Sequence, residues 1–192
     1  LLFNYSACAV GGVYPLFFII VIFYQKSIPN FVEFKTKNIP VRWGILDDMW
    51  STLDGENSRE VMHDRKLVDF KADPKQFPNG LKAAISEVKE KYGLKIGIWH
   101  PITGYWYGFD LDGKTAKKHS KHITQNNYGK YILKPTAEDF FAYHNSLYAY
   151  LKNAGAEFVK VDNQSSIFLH YRNMGTVGEM ADNIHTGIEG AV

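Results

Sequence analysis

The chain has 192 residues, a length that fits one domain or part of a larger one. Hydrophobic residues make up 45% and charged residues 22%, which is a globular composition and excludes a disordered chain. The formal net charge is only +2, so a broad basic surface is excluded and we expect no nucleic-acid partner. The single cysteine, Cys8, cannot form an internal disulfide, which favours a reducing compartment and predicts a cytoplasmic location.

The N-terminal segment is apolar. Residues 1–25 carry no charge and include an unbroken apolar run over residues 16–24. A membrane helix needs about 20 apolar residues, but Gly11, Gly12 and Pro15 interrupt this stretch. We therefore treat residues 1–38 as an unassigned segment with three interpretations. We favour a buried strand or helix of a truncated domain, or a stretch whose correct upstream sequence has been lost, over a membrane segment within residues 1–25.

From residue 39 onward, strand and helix patterns alternate. The predicted elements in chain order are strand 41–46, helix 80–92, strand 94–99, helix 135–154, strand 156–161 and helix 177–189. This alternation predicts an α/β fold with a parallel sheet. Long strand-to-helix loops and very short helix-to-strand turns are typical of a (β/α)8 TIM barrel. Because only about three βα units are present, residues 39–192 are predicted to form a partial, truncated catalytic barrel.

Polar side chains follow all three predicted strands. Asp47 and Asp48 end the first strand, and Lys160 and Asp162 end the third. Side chains two apart on a strand share a face, so we expect Lys160 beside Asp162, where a cation favours an ionised carboxylate. A glycosidase nucleophile needs such a carboxylate. An ordinary surface ion pair would have the same spacing.

Aromatic residues lie in or just after the second predicted strand. Trp99, Tyr105 and Trp106 offer flat faces of the kind that stack on the apolar side of a sugar, although at least one of them would equally fill the core. His119 and His122 are three apart but stand among lysines that would repel a cation, so we predict no metal and no cofactor.

Four segments of the chain carry distinctive motifs: residues 39–50 (IPVRWGILDDMW), residues 66–82 (KLVDF followed by FPNGLK), residues 98–106 (IWHPITGYW) and residues 158–164 (FVKVDNQ). In this order and at this spacing they resemble glycoside hydrolase family 36, in the branch of raffinose synthases, seed-imbibition proteins and related bacterial α-galactosidases. The resemblance covers residues 39–192.

The resemblance implies a role for each matching residue. Asp162 would be the catalytic nucleophile, and Lys160 would bind a galactose hydroxyl and hold Asp162 ionised. Asp47 and Asp48 would bind hydroxyls at the far end of galactose. The other expected substrate-binding residues are Trp99, His100, Trp106, Asn163 and Gln164.

The implied activity is that of a retaining α-galactosidase, which acts on raffinose-type α-galactosides by double displacement. The alternatives are a galactosyltransferase of the raffinose-synthase type, a Schiff-base aldolase using Lys160, and an inactive membrane-tethered sugar-binding fragment. The tryptophan-rich first-strand motif of the family is missing before Ile39, and its general acid is expected beyond Val192. We therefore expect this chain alone to be inactive or nearly so.

Overall fold

The computed structural model describes residues 36–55 and 61–192, together with the backbone of residues 18–22. The strands are β1 (Phe18–Ile22), β2 (Val41–Leu46), β3 (Ser51–Leu53), β4 (Leu67–Ala72), β5 (Lys95–Pro101), β6 (Ile123–Gln125), β7 (Tyr131–Leu133) and β8 (Phe158–Asp162). The helices are α1 (Gly80–Tyr92), α2 (Lys114–Lys118), α3 (Ala137–Ala154), α4 (Ile167–His170) and α5 (Val177–Gly190).

A four-stranded parallel sheet organises the fold. Its strand order is β1-β2-β5-β8, and α1 and α3 form the crossovers from β2 to β5 and from β5 to β8. The predicted α/β fold and parallel sheet are thereby confirmed, and each predicted strand and helix has a counterpart in the structure. Parallel crossovers bring the carboxyl ends of β2, β5 and β8 to one edge of the sheet.

The two long strand-to-helix loops, after β2 and after β5, contain short strands of their own. Strands β3 and β4 pair antiparallel in the loop after β2, and β6 and β7 pair antiparallel in the loop after β5. Strands β3, β6 and β7 have only three residues each. Such runs are too short to show a clear alternating pattern in the sequence.

Part of the apolar N-terminal segment joins the sheet. Strand β1 runs parallel to β2, with Phe18 opposite Val41 and Ile22 opposite Leu46. Nothing long and apolar enough to span a bilayer occurs among the helices of the described residues. The rest of the suggested membrane segment, residues 1–17 and 23–25, lies outside the described residues. The domain boundary at residue 38 stays a prediction.

Local signals fix the ends of the three long helices. Helix α1 stops at Gly93, which adopts a left-handed conformation with φ 70°. Helix α3 begins at Thr136, whose side chain accepts a hydrogen bond from the backbone N–H of Asp139. Helix α5 begins with a reciprocal capping box between Thr176 and Glu179.

The main core lies between the sheet and these helices. Helix α3 packs against both α1 and α5. Its buried stripe is Phe140, Tyr143, His144, Leu147, Tyr148, Leu151 and Ala154. Burial of this stripe fixes α3 against the sheet, and the loops at the carboxyl ends of the strands are held on that scaffold.

Candidate active site at the carboxyl ends of the strands

The register of the sheet aligns the polar residues that end its strands. Trp99 of β5 is opposite Lys160 of β8, and Pro101 is opposite Asp162. On the other side of β5, Ile98 is opposite Leu46, so the next residue of the chain, Asp47, comes level with Trp99. Three strands thus bring their polar ends to one place, as the sequence predicted.

Both oxygens of the Asp162 carboxylate accept hydrogen bonds. Trp99 Nε1 donates to Oδ2 at 2.8 Å, and the backbone N–H of Asn163 donates to Oδ1 at 2.7 Å. Asp162 is only half-buried. The carboxylate therefore has a fixed orientation while part of it remains accessible.

Lys160 forms an ion pair with Asp47, and this corrects one expectation. Its Nζ lies 2.9 Å from Asp47 Oδ2, and no ion pair joins it to Asp162, although the structure describes both residues. The predicted shared face holds, but Asp162 is two residues further along β8, about 6.6 Å by strand geometry. Lys160, Trp99 and Asp47 are level with one another across the three strands. Lys160 therefore extends past Trp99 and pairs with Asp47.

The Asp48 carboxylate is held by three donors. Its Oδ1 accepts from the Tyr105 hydroxyl and from the backbone N–H of Met49, and its Oδ2 accepts from Trp106 Nε1 at 2.7 Å. Burial raises the pKa of Asp48, and the three hydrogen bonds oppose that rise. Asp48 therefore fixes the loop after β5, which carries Tyr105 and Trp106, onto the end of β2.

The Trp99 indole, which bonds to Asp162, lies beside the Trp106 indole, which bonds to Asp48. Trp99 and Trp106 have ring centroids 5.7 Å apart and planes inclined by 37°. Trp99 is almost fully buried, whereas Trp106 is partly exposed and could stack on a ligand. Trp50 supports this arrangement because its Nε1 donates to the Trp99 carbonyl at 2.8 Å.

His100 lies away from these groups. Its Nε2 is 3.0 Å from the Tyr148 hydroxyl, and its ring lies 5.2 Å from that of His144, both on helix α3. Neighbouring side chains of a strand point to opposite faces, so His100 faces the helices while Trp99 faces the site. We therefore assign His100 to the core and not to substrate binding.

The side chains of Asn163 and Gln164 bond to protein groups. Asn163 Nδ2 is 3.1 Å from His170 Nε2, and Gln164 Nε2 donates to the Val161 carbonyl at 2.9 Å. Both side chains thus brace the turn after β8, and their expected role as substrate ligands stays a prediction.

Sequence reasoning assigned no role to Trp50, although it ends the first of the four segments that resemble the family, and none to His170. Both act through partners that are 49 and seven residues away in the chain, and neither stands at a strand end, where the polar signal was sought. The described residues also contain no group of three His, Cys, Asp or Glu side chains that could hold a metal ion.

Known structures share this architecture. The fold resembles that of a glycoside hydrolase family 36 α-galactosidase from Geobacillus stearothermophilus in complex with stachyose (TM-score 0.59, 16% identity, 93% of this chain and 26% of that one). It also resembles the α-galactosidase from Lactobacillus brevis (TM-score 0.53, 15% identity, 92% of this chain and 24% of that one). Fold and site thus define an α/β protein whose parallel strands end in carboxylates.

The family follows from the sequence. The model of the family "Raffinose synthase or seed imbibition protein Sip1" matches residues 9–192, and the chain belongs to this family, within the raffinose synthase branch of glycoside hydrolase family 36. It is 28% identical to the probable galactinol–sucrose galactosyltransferase 6 of Arabidopsis thaliana, over 88% of this chain and 27% of that protein. It is 26% identical to α-galactosidase 2 of Hypocrea jecorina, over 69% of this chain and 19% of that protein. The chain spans about a quarter or less of the length of these relatives.

Proposed function

We propose that the chain is the nucleophile-bearing part of a retaining enzyme that acts on α-galactosides, with its sheet forming part of a (β/α)8 barrel. Asp162 is the nucleophile. The observation that carries the proposal is the Asp162 carboxylate at the carboxyl end of β8, held by Trp99 and Asn163, with the Lys160–Asp47 ion pair beside it.

The hydrogen bonds to Asp162 suit this role. They stabilise the ionised carboxylate and aim it, which a nucleophile at an anomeric carbon requires. In the first step an Asp162 oxygen bonds to the anomeric carbon as the bond to the leaving oxygen breaks. In the second step the oxygen of water or of an acceptor hydroxyl bonds to the anomeric carbon as the bond to Asp162 breaks. Its proton passes to the carboxylate that protonated the leaving oxygen, and the configuration of the anomeric carbon is retained overall.

Asp47 and Lys160 are proposed to bind galactose hydroxyls. Asp47 uses one oxygen for Lys160 and the other for the backbone N–H of Asp48, and each oxygen keeps a second lone pair for a hydroxyl donor. Lys160 is the more exposed partner, with 40% of its side chain accessible, and keeps further N–H donors for a sugar oxygen.

Asp48 has a different proposed role from the other carboxylates. Its three protein donors leave it less free to bind substrate, so we assign it to hold Trp106 at the site. The proton for the leaving oxygen then has to come from a carboxyl group other than Asp47, Asp48 and Asp162.

Transfer of galactose to a sugar is the second candidate function. The similarity to a protein named as a galactosyltransferase favours it, and the similarity to a named α-galactosidase favours hydrolysis. Both reactions share the galactosyl-enzyme and differ only in the group that attacks it. We take hydrolysis as the primary proposal, and faster release of a trapped galactosyl group when sucrose is added would favour transfer instead.

A fluorinated galactosyl fluoride tests the nucleophile directly. Fluoride leaves without protonation by a general acid, so the test depends on the groups described above. We expect one adduct on the wild-type chain, located at Asp162 by peptide mass spectrometry. Asp162→Asn should show none, and Asp182→Asn, a change at an exposed position of α5, should be labelled like the wild type. An adduct at another residue, or no adduct, would overturn the proposal.

A further inference from the structure

The turn after β8 is held in an unusual conformation. Asn163 has φ 65°, in the left-handed region that asparagine tolerates better than most residues. In this conformation its backbone N–H donates to Asp162 Oδ1 at 2.7 Å. The orientation of the carboxylate therefore depends on how firmly Asn163 is held.

His170 holds the side chain of Asn163. The Asn163 amide nitrogen lies 3.1 Å from His170 Nε2, and His170 is only 6% exposed. Asn126 in turn donates to the His170 carbonyl at 3.1 Å, and its own Oδ1 accepts from the backbone N–H groups of Tyr128 and Lys130. The loop between β6 and β7 thus fixes His170, and His170 fixes Asn163.

We propose that His170 is a positioning residue for the nucleophile: through the Asn163 amide it holds the turn whose N–H aims the Asp162 carboxylate. This inference rests on the proposed function of Asp162. His170 itself touches neither Asp162 nor a reacting atom and acts only through Asn163.

The surroundings of His170 support this role. Burial and the nearby Lys130 charge lower its pKa to about 4, so the ring is neutral near pH 7 and links to a neutral amide. Its Nδ1 is buried without a hydrogen-bond partner in the described part of the chain. The single bond at Nε2 is therefore the polar contact that orients the ring.

Two substitutions separate positioning from packing. A glutamine amide reaches the place of the histidine Nε2, whereas an asparagine amide reaches only that of Nδ1. His170→Gln should keep the link and His170→Asn should lose it. With the fluorinated galactosyl fluoride, we expect His170→Asn to lower the maximal labelling rate constant about tenfold at unchanged half-saturating concentration. His170→Gln and the control His185→Asn, at an exposed position of α5, should stay within about twofold of the wild type.

A second readout does not depend on labelling. The backbone amide of Asn163 should exchange its hydrogen about tenfold faster in His170→Asn, because its turn is no longer held, and at the wild-type rate in His170→Gln. Failure to label the wild type would refute the proposed function, and the exchange rates alone would then decide the positioning role. If His170→Asn and His170→Gln changed the Asn163 exchange rate equally, or if neither changed it, the positioning role of His170 would be overturned.

Discussion

Asp47 and Asp48 are neighbours in the chain, yet their carboxylates bond to different parts of the sheet edge. Asp47 bonds to Lys160 two strands away, whereas Asp48 bonds to Tyr105 and Trp106 in the loop after β5. At the residue scale, one carboxylate thus pairs with Lys160 at the end of β8, and the other holds the loop that carries the Trp106 indole ring.

The Tyr105 hydroxyl offers a test of this assignment. Tyr105→Phe removes one donor from a buried carboxylate and should lower the free energy of unfolding by about 1–3 kcal/mol, the cost of leaving a buried acceptor less satisfied. The pKa of Asp48, which burial already raises, should rise further. Urea denaturation measures the first effect and carboxyl NMR titration measures the second.

Tyr128→Phe is the matched control, because that side chain is 46% exposed and its loss of a hydroxyl should change stability by less than about 0.5 kcal/mol. Equal stability of Tyr105→Phe and the wild type would show that the Tyr105 bond to Asp48 does not stabilise the loop.

The residues of the site were more predictable than their partners. Asp47, Trp99, Lys160 and Asp162 stand at strand ends, so the alternation of elements was enough to bring them together. The partner of Lys160 was not predictable, because spacing along β8 favours Asp162, whereas the register across three strands brings Asp47 within reach.

At the element scale, long helices and buried strands carried clear signals. Helix α3 has a buried stripe, a capping threonine and a terminal glycine, and the structure begins and ends it at these signals. The β3–β4 and β6–β7 pairs carried no clear sequence pattern, because three of these four strands have only three residues each. The Asn126 side chain that braces His170 lies in the loop between β6 and β7, which is why the support of the turn after β8 was missed.

Helix α5 packs closely against α3 at one glycine. A Cβ added at Gly187 would lie 2.5 Å from the backbone carbonyl oxygen of Ala137 and 2.6 Å from Phe140 Cβ. Because backbone cannot yield as a side-chain tip can, Gly187→Ala should destabilise the protein by about 1–3 kcal/mol. Thermal or urea unfolding would measure this loss.

Another glycine of the same helix supplies the control. A Cβ at Gly178 would meet nothing within 4 Å, so Gly178→Ala should be neutral or stabilise the helix by up to about 1 kcal/mol. If Gly187→Ala were as stable as Gly178→Ala, the close approach of α3 and α5 would be wrong.

At the scale of the whole molecule, neutral histidines are spread through the buried interior. Burial lowers the pKa of His100 and His119 to about 4, and that of His144 well below its usual value. Nε2 of both His119 and His144 is buried without a hydrogen-bond partner in the part of the chain that the structure describes. His100 and His144 also lie ring to ring, so protonation of either would place a charge beside the other.

These histidines predict loss of stability in mild acid. A histidine with a pKa near 6.5 in the unfolded chain and about 4 in the fold binds more protons when unfolded between these two values. The free energy of unfolding should therefore fall as the pH drops from about 6.5 to about 4, with a limiting slope of about 1.4 kcal/mol per pH unit for each buried histidine. Urea titrations across this range measure the slope.

His100→Gln, which keeps an amide near the Tyr148 hydroxyl, should reduce this dependence of the free energy of unfolding on pH, and the exposed His185→Gln should leave it unchanged. A stability that stays constant from about pH 6.5 to about pH 4.5 would contradict the buried, neutral state of these rings.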